Sequence, residues 1–295
     1  MSTPARAGHR YCGRVFTPEE LRSIRELIAD DARHNRAELS RLVCDLVGWI
    51  RPDGQRKDMS CRVAMLRMHR DGLIELPPPR KGNGNGRIRP QRSLLGEPGE
   101  PVTASVGQLG ELTLLPVKGQ ADSRLWNELI DRYHYLGYQP LPGAQMRYLV
   151  FAGSRMLGAM GFGACAWKVA ARDQFIGWTA EERVEKLALV VNNARFLILP
   201  WIKSPNLASR VLSLAAKQLP EDWEKRYAYR PVLLETFVEM DRFHGTCYRA
   251  ANWLLVGKTQ GRGKLDRWKR FELPVKHIFL YPLCRKFRER LRGCE

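Results

Sequence analysis

Long apolar runs are missing from this chain of 295 residues. None approaches the roughly 18 residues that a bilayer-spanning helix needs, which excludes a helical membrane span. Met1 to Arg14 also lacks the apolar stretch of a signal peptide, so a cytoplasmic location is expected. Cysteine is sparse and badly spaced for pairing: seven residues, at 12, 44, 61, 165, 247, 284 and 294, with no CxxC. That pattern supports neither a disulfide framework nor a zinc site. Cys44, Cys61, Cys165 and Cys247 sit inside apolar patterns and read as small core residues. The six histidines form no HxH or HExxH pair.

Acid is the remaining shortage. Against 49 Lys+Arg stand 31 Asp+Glu, leaving a net charge of +18 and a pI near 10.0. An excess of this size favours a polyanion, because cationic side chains displace the counterions condensed on a phosphate backbone. Residues 1–90 hold 18 basic and 11 acidic side chains, and residues 255–295 hold 12 and 4. Two basic regions imply two contacts with nucleic acid, single- or double-stranded. No long helix joins a basic face to a strongly apolar one, so a membrane partner is not expected.

Residues 15–78 read as a compact helical domain. Thr17-Pro18-Glu19-Glu20 supplies an N-cap, a proline at the first helical position and a capping-box acid. Leu21, Ile24, Leu27 and Ile28 follow at helical spacing. A second helix is predicted near Arg36 to Val47 and a third near Lys57 to Arg70, with Val63, Leu66 and Met68 among its apolar positions. Pro52-Asp53-Gly54 turns the chain between them. After Asp71-Gly72, Leu73 to Leu76 reads as a short strand. Three helices and a strand are the order of a winged helix-turn-helix. Arg56, Lys57, Arg62, Arg67 and Arg70 then fall on or beside the helix that would lie in a DNA groove.

A linker follows over 79–100, stiff at its prolines and loose through Gly82-Asn83-Gly84-Asn85-Gly86. The second domain, 101–273, mixes strands and helices, so the fold class expected for the whole chain is α+β. Leu112 to Val117 reads as a strand and Ser123 to Tyr135 as a helix. Arg147 to Ala152 and Met156 to Phe162 read as a hairpin turning at Gly153-Ser154-Arg155. Thr179 to Lys186 is a short Thr-capped helix. Leu187 to Val191 and Phe196 to Leu199 read as two strands, and a helix runs from Ser204-Pro205 through Gln218. Arg195, just before the second of these strands, reads as the structural partner of a carboxylate. A basic tail, 274–295, is predicted helical around Leu283 to Leu291.

Pro231 to Gly263 is the richest stretch. Val232 to Val238 is apolar and β-branched, with one acid, Glu235, inside it. Thr246 to Trp253 reads as a helix carrying Tyr248 and Asn252 on one face. A strand at Leu254 to Val256 and the turn Gly261-Arg262-Gly263 follow. Lys258 and Lys264 flank this turn, where glycine lets backbone approach and Arg262 can grip two phosphate oxygens.

The element order of the second domain resembles that of GNAT-type N-acyltransferases. Cys247-Tyr248 followed by Asn252-Trp253 is similar to the closing helix of that superfamily. The resemblance implies that Tyr248 protonates a leaving thiolate. It also implies that the loop before the long helix holds the pyrophosphate of coenzyme A, through Lys203, Ser204 and Asn206, here without the family's glycine-rich spacing. The longer motifs YHYLGY (133–138), NNARFLILPWI (192–202), NLASRVLS (206–213), ETFVE (235–239) and GTCYRAANW (245–253), with GKTQGRG (257–263), resemble DruA, a component of the Druantia anti-phage defence system with relatives in mobile elements. That resemblance covers roughly residues 15–265 and implies a role in defence or in mobile DNA.

Three chemistries fit these residues. A GNAT-like enzyme modifying nucleic acid would use Tyr248 as acid and Glu235 or His134 as base, with acetyl-CoA as cofactor. A nuclease or transposase-like enzyme would hold Mg²⁺ or Mn²⁺ on Glu235 and Asp241, with Glu239 and Asp173 as further acids. Glu235 and Glu239 share a strand face about 13 Å apart. Tyr248 would alternatively serve there as a nucleophile toward DNA. A non-catalytic platform would bind single strands through Tyr133, Tyr135, Tyr138, Trp178, Trp201, Trp253, Arg262 and Lys264, and recruit a partner such as a helicase.

Overall fold

A computed structural model describes residues 8–30, 35–79, 90–261 and 273–293. The chain divides into two compact units, Met1–Gly86 and Arg87–Glu295. No helix among the described residues is long and apolar enough to cross a membrane.

The first unit opens with a hairpin, β1 (His9–Tyr11) and β2 (Arg14–Phe16), turned by Cys12 and Gly13 at positive φ. Helix α1 (Pro18–Asp30) starts in the expected capping box: the Glu20 amide donates to Thr17 Oγ1 and the Thr17 amide to the Glu20 carboxylate, both at 3.1 Å. Helix α2 (Arg36–Leu46) repeats the device with Asn35 and Glu38. Helix α3 (Asp58–Arg70) buries Cys61, Ala64, Met65 and Met68. Val63, predicted to point inward, is 41% exposed, because the buried stripe is set by Cys61 and Met65, one turn apart.

The strand predicted at Leu73 to Leu76 does not form. Its polar groups are met by side chains instead: Arg25 Nε donates to Leu73 O, and the Leu76 amide donates to His69 Nδ1. Pro77 to Pro79 offer no amide to a ladder. Ile74 and Leu76 still enter the core of this unit.

The second unit is built on a seven-stranded sheet. Its strands are β3 (Leu112–Pro116), β4 (Gln145–Ala152), β5 (Arg155–Ala164), β6 (Val190–Ile198), β7 (Leu233–Glu239), β8 (Leu254–Lys258) and β9 (Lys276–Pro282). They lie in the order β3-β4-β5-β6-β7-β9-β8. Every neighbouring pair is antiparallel except β6–β7. The helices are α4 (Gln120–Tyr133), α5 (Ala170–Ile176), α6 (Ala180–Lys186), α7 (Leu207–Tyr227), α8 (Thr246–Ala250) and α9 (Phe287–Arg292).

Consecutive strand residues point to opposite faces, which places the helices. On β4, Arg147 donates to Asn127 of α4 at 3.0 Å, whereas Tyr148 donates to Asp222 of α7 at 3.0 Å. Helices α4 and α7 therefore cover opposite faces. The same alternation divides β7: Leu234 and Val238 join the core under α7, and Leu233 and Phe237 join a second cluster with Val169 and Ile176, around α5.

Several elements differ from expectation. Leu187–Val191 and Phe196–Leu199 are not two strands; Val190–Ile198 is one, because polar Asn192 to Arg195 stays in the ladder around a bulge. Helix α7 runs past Gln218 to Tyr227 with Pro220 inside it, held by buried Leu219, Trp223 and Tyr227. Helix α8 is short: Asn252 adopts φ 62° beyond its end, so Tyr248 and Asn252 do not share a helical face. The sequence predicts no element in the basic tail before Leu283, yet Lys276–Pro282 forms β9 and inserts between β7 and β8, ahead of α9. Within the expected linker, Ser93 to Glu97 packs on α4, where Ser93 donates twice to Glu128 and Glu97 pairs with Arg132.

Candidate functional site

Strands β6 and β7 pair in parallel over three positions only, Val190–Leu233, Val191–Leu234 and Asn192–Glu235. Both continue beyond that point, β6 to Ile198 and β7 to Glu239, and so form a fork. A bulge marks the branch on β6: Phe162 of β5 faces Asn193 and Gly161 faces Arg195, which leaves Ala194 without a partner.

Three polar side chains fill the crotch. Asn193, 4% exposed, donates through Nδ2 to Gly161 O at 3.3 Å and Arg195 O at 3.1 Å. Its Oδ1 accepts from the Tyr248 hydroxyl at 2.8 Å. Thr236 Oγ1 of β7 donates to Asn193 O at 3.0 Å and bridges the parted strands. The Tyr248 ring stacks on Phe279 at 5.7 Å and meets Trp253 edge-on at 5.2 Å. Burial pushes the Tyr248 phenol far up, outweighing the opposing pull of Thr236, so it stays protonated and donates. Gly245, just before α8, has φ 70°, and a Cβ there would fall 2.6 Å from the Phe279 ring. Asn193 and Thr236 escaped the sequence reading. The one available signal was the polar pair Asn192-Asn193 inside an otherwise apolar strand.

Glu235 and Thr236 are neighbours on β7 and point to opposite faces, so Glu235 lies across the sheet from Tyr248. The two are not brought together as acid and base. Glu235 is fully buried, and both of its oxygens are engaged: Oε2 accepts from Arg172 Nη1 and Oε1 from the Ala166 amide, each at 2.9 Å. Burial pushes its carboxyl up, against the pull of the Arg172 charge and these hydrogen bonds. Arg172 also binds Asp173 and Ala166 O, and Asp173 reaches Arg183 at 3.4 Å. This network ties the loop after β5 to β7. Glu239 sits at the end of β7 paired with Arg242 at 3.4 Å, and Asp241 is exposed in the turn beyond.

His134 follows α4. It accepts the Leu136 amide at Nδ1 and stacks on Tyr135 at 4.9 Å. Burial, and then the Arg195 charge, lower its pKa to about 4, so the imidazole is neutral at pH 7. Arg195 lies on the α4 face beside it. Its Nη1 donates to Ala194 O at 2.7 Å rather than to the carboxylate expected, and its buried Nε has no partner.

At the head of α7, Val102 and Lys203 clasp the chain: the Val102 amide donates to Trp201 O and the Lys203 amide to Val102 O. Asn206 takes φ 63°, and the buried Ser204 hydroxyl is unpartnered. Lys203 is exposed. Among the expected cations, Arg56 pairs with Asp45 at 2.6 Å and Arg62 with Asp58 at 3.5 Å. Lys57 precedes α3, and Arg67 and Arg70 are exposed in its last turns. Lys258 is exposed at the end of β8, while Arg262 and Lys264 lie outside the described residues.

The family profile described as Druantia protein DruA matches residues 67–272. The chain belongs to the DruA family. A comparison with curated protein sequences returns no match. Among solved structures, this chain is similar to a Bacillus subtilis acetyltransferase in complex with CoA, at 9% identity and a TM-score of 0.37, over 59% of this chain and 100% of that one. It is similar to a GNAT-family acetyltransferase from Streptococcus pneumoniae at 10% identity and a TM-score of 0.37, over 58% and 99%. A third likeness is to FeeM, an N-acyl amino acid synthase from uncultured soil microbes, at 12% identity and a TM-score of 0.36, over 59% and 90%.

Among the described residues, no group of three or more His, Cys, Asp or Glu side chains gathers as metal ligands do. Glu235 is fully buried with its charge already paired to Arg172. The aromatic residues expected to meet bases also separate. Trp178 and Trp253 are core residues, and Tyr133 is fixed by its bond to Gly96 O and its edge contact with Trp201. Tyr135 remains 38% exposed.

Proposed function

We propose that this DruA-family chain is a DNA-binding protein of anti-phage defence, or of mobile DNA, and that its mixed sheet acts on nucleic acid at the β6–β7 fork. The observation carrying the first part is the outward face of α3. Met59, Val63, Arg67 and Arg70 recur at spacings of four, four and three, which aligns them in one stripe. Met59 is 62% and Val63 41% exposed, and both arginines are exposed. Two exposed apolar side chains followed by two arginines match the edges and methyl groups of a major groove, with Arg56, Lys57 and Arg62 beside them for phosphates.

The fork supports the second part. It holds a protonated phenol in a dry polar crotch, with a neutral imidazole on the other face. In this account Tyr248 keeps a transferable proton at its hydroxyl, while His134, on the other face, is a separate proton acceptor and not its partner. Glu235 acts as a positioning residue through Arg172. The head of α7 fits a diphosphate: Lys203 supplies charge, the Ser204 hydroxyl is unpartnered, and the helix begins beside Asn206 without a side-chain cap. Bound there, acetyl-CoA would supply an activated acyl group.

The deciding experiment incubates the full chain with single- and double-stranded DNA, with Mg²⁺ or Mn²⁺ and separately with acetyl-CoA. Fragment sizes and nucleoside masses are then read. An acetylated nucleoside that Tyr248→Phe no longer produces supports the account. Fragments formed with metal alone support the nuclease instead. DNA binding with neither product leaves the platform, with a helicase or other protein as the acting partner.

A further inference from the structure

On the α4 face, two aromatic rings from separate segments meet in the open. The Tyr135 ring lies 5.3 Å from that of Phe243, which follows β7. Tyr135 is 38% and Phe243 45% exposed, and Leu136 beside them is 40% exposed. His134 stacks on Tyr135, the Arg242 guanidinium lies over the Tyr135 ring at 5.1 Å from its centroid, and the Phe243 amide donates to Glu239 O at 2.9 Å. The turn that carries Tyr135 closes with the Gly137 amide on His134 O at 2.8 Å. Glu239 and Asp241 are the acids nearby, and Glu239 is already paired with Arg242. Arg195 lies near enough to act electrostatically on both His134 and Tyr135.

Exposed rings held at a fixed angle cost hydration without contributing to the core. Such rings are open to a planar ligand. A flat π-face flanked by guanidinium groups recognises a planar, electron-rich ring attached to an anion. In a duplex each base face is covered by its neighbours, so only an unstacked base can lie there.

We propose that Tyr135 and Phe243 form a stacking seat for one unstacked nucleobase of single-stranded DNA, with Arg242 beside it to meet the adjoining phosphate. This rests on the proposal that the chain acts on nucleic acid and names the form of substrate presented to the fork.

The test measures binding of the full chain to a fluorescent oligothymidylate and to an abasic oligonucleotide of the same length, which keeps the phosphates and loses the bases. A duplex serves as the third ligand. The wild-type chain is expected to favour the oligothymidylate over the abasic strand by about tenfold, the scale of one base–aromatic stack. Tyr135→Ala and Phe243→Ala should each remove most of that preference, Tyr135→Phe should retain it, and duplex binding should not change. Thermal melting of each variant confirms its fold. Equal affinity for the abasic strand, or a preference that survives both alanine variants, overturns the seat while duplex binding through α3 stands. Failure to bind any of the three ligands overturns both proposals.

Discussion

The Tyr248 hydroxyl donates to Asn193 Oδ1 at 2.8 Å where β6 and β7 part. The bond is buried, joins residues 55 positions apart, and is the polar link between α8 and the branch of the sheet.

Removing that hydroxyl leaves Asn193 Oδ1 buried without its donor. Tyr248→Phe is expected to cost about 1–3 kcal/mol, the desolvation penalty of an unsatisfied group. Paired with Asn193→Ala in a double-mutant cycle by urea denaturation, the two changes should be non-additive by roughly 0.5 kcal/mol or more. Strict additivity would show that the bond contributes nothing.

The Glu235–Arg172 pair makes an asymmetric prediction. Glu235→Ala removes the buried counter-charge of Arg172, leaving it Asp173 and Ala166 O, and should destabilise the fold by about 3–5 kcal/mol. Replacing both partners with apolar residues, as in Glu235→Leu with Arg172→Met, should recover much of that loss. If Glu235→Ala leaves the denaturation midpoint unchanged, the network is not holding the loop after β5.

His134 supplies a pH signature. Its folded pKa is about 4, below the usual histidine value near 6.5. The unfolded chain therefore takes up the proton first, and stability falls as pH drops from about 6.5 toward 4. The groups near the ring are Arg195, which opposes protonation, and the stacked Tyr135. His134→Gln should flatten this part of the stability–pH curve, and NMR titration of the imidazole should give a midpoint well below 6. A midpoint near 6.5 would contradict the buried, cation-flanked placement.

Gly245 lies in the left-handed region with Phe279 against it. Gly245→Ala should destabilise by more than the ~1 kcal/mol of left-handed backbone strain, because the ring must also move. Loss of the near-ultraviolet signal from the Tyr248–Phe279–Trp253 cluster checks that movement.

Legibility in the sequence followed local signals. Thr17 with Glu20 and Thr179 with Glu182 carry reciprocal capping that depends on neighbours three residues apart, and both caps form. The hairpin from β4 to β5 turns at Gly153-Ser154, with Ala152 opposite Arg155. Non-local features were hidden. Nothing near Lys276–Pro282 says that this strand inserts between β7 and β8, because the strands it pairs with lie earlier in the chain. The face of Glu235 depends on register: one residue's shift would have put it beside Tyr248. Arg172, its partner, belongs to a short helix with no periodic signal of its own. Asn193 was legible only as a polar interruption, since its three hydrogen bonds reach β5, β6 and α8.

The proposed contact between cationic side chains and a nucleic-acid backbone should respond strongly to salt. Affinity of the full chain for a short duplex, measured by fluorescence anisotropy at a series of salt concentrations, should fall steeply and linearly in log–log form. The slope should be close to one unit per phosphate contacted. Lys57→Ala, at a residue assigned to a phosphate, should weaken binding and reduce the slope by about one, whereas Arg67→Ala and Arg70→Ala should weaken binding with less change of slope. A flat dependence on salt, or no binding in dilute buffer, would contradict the account.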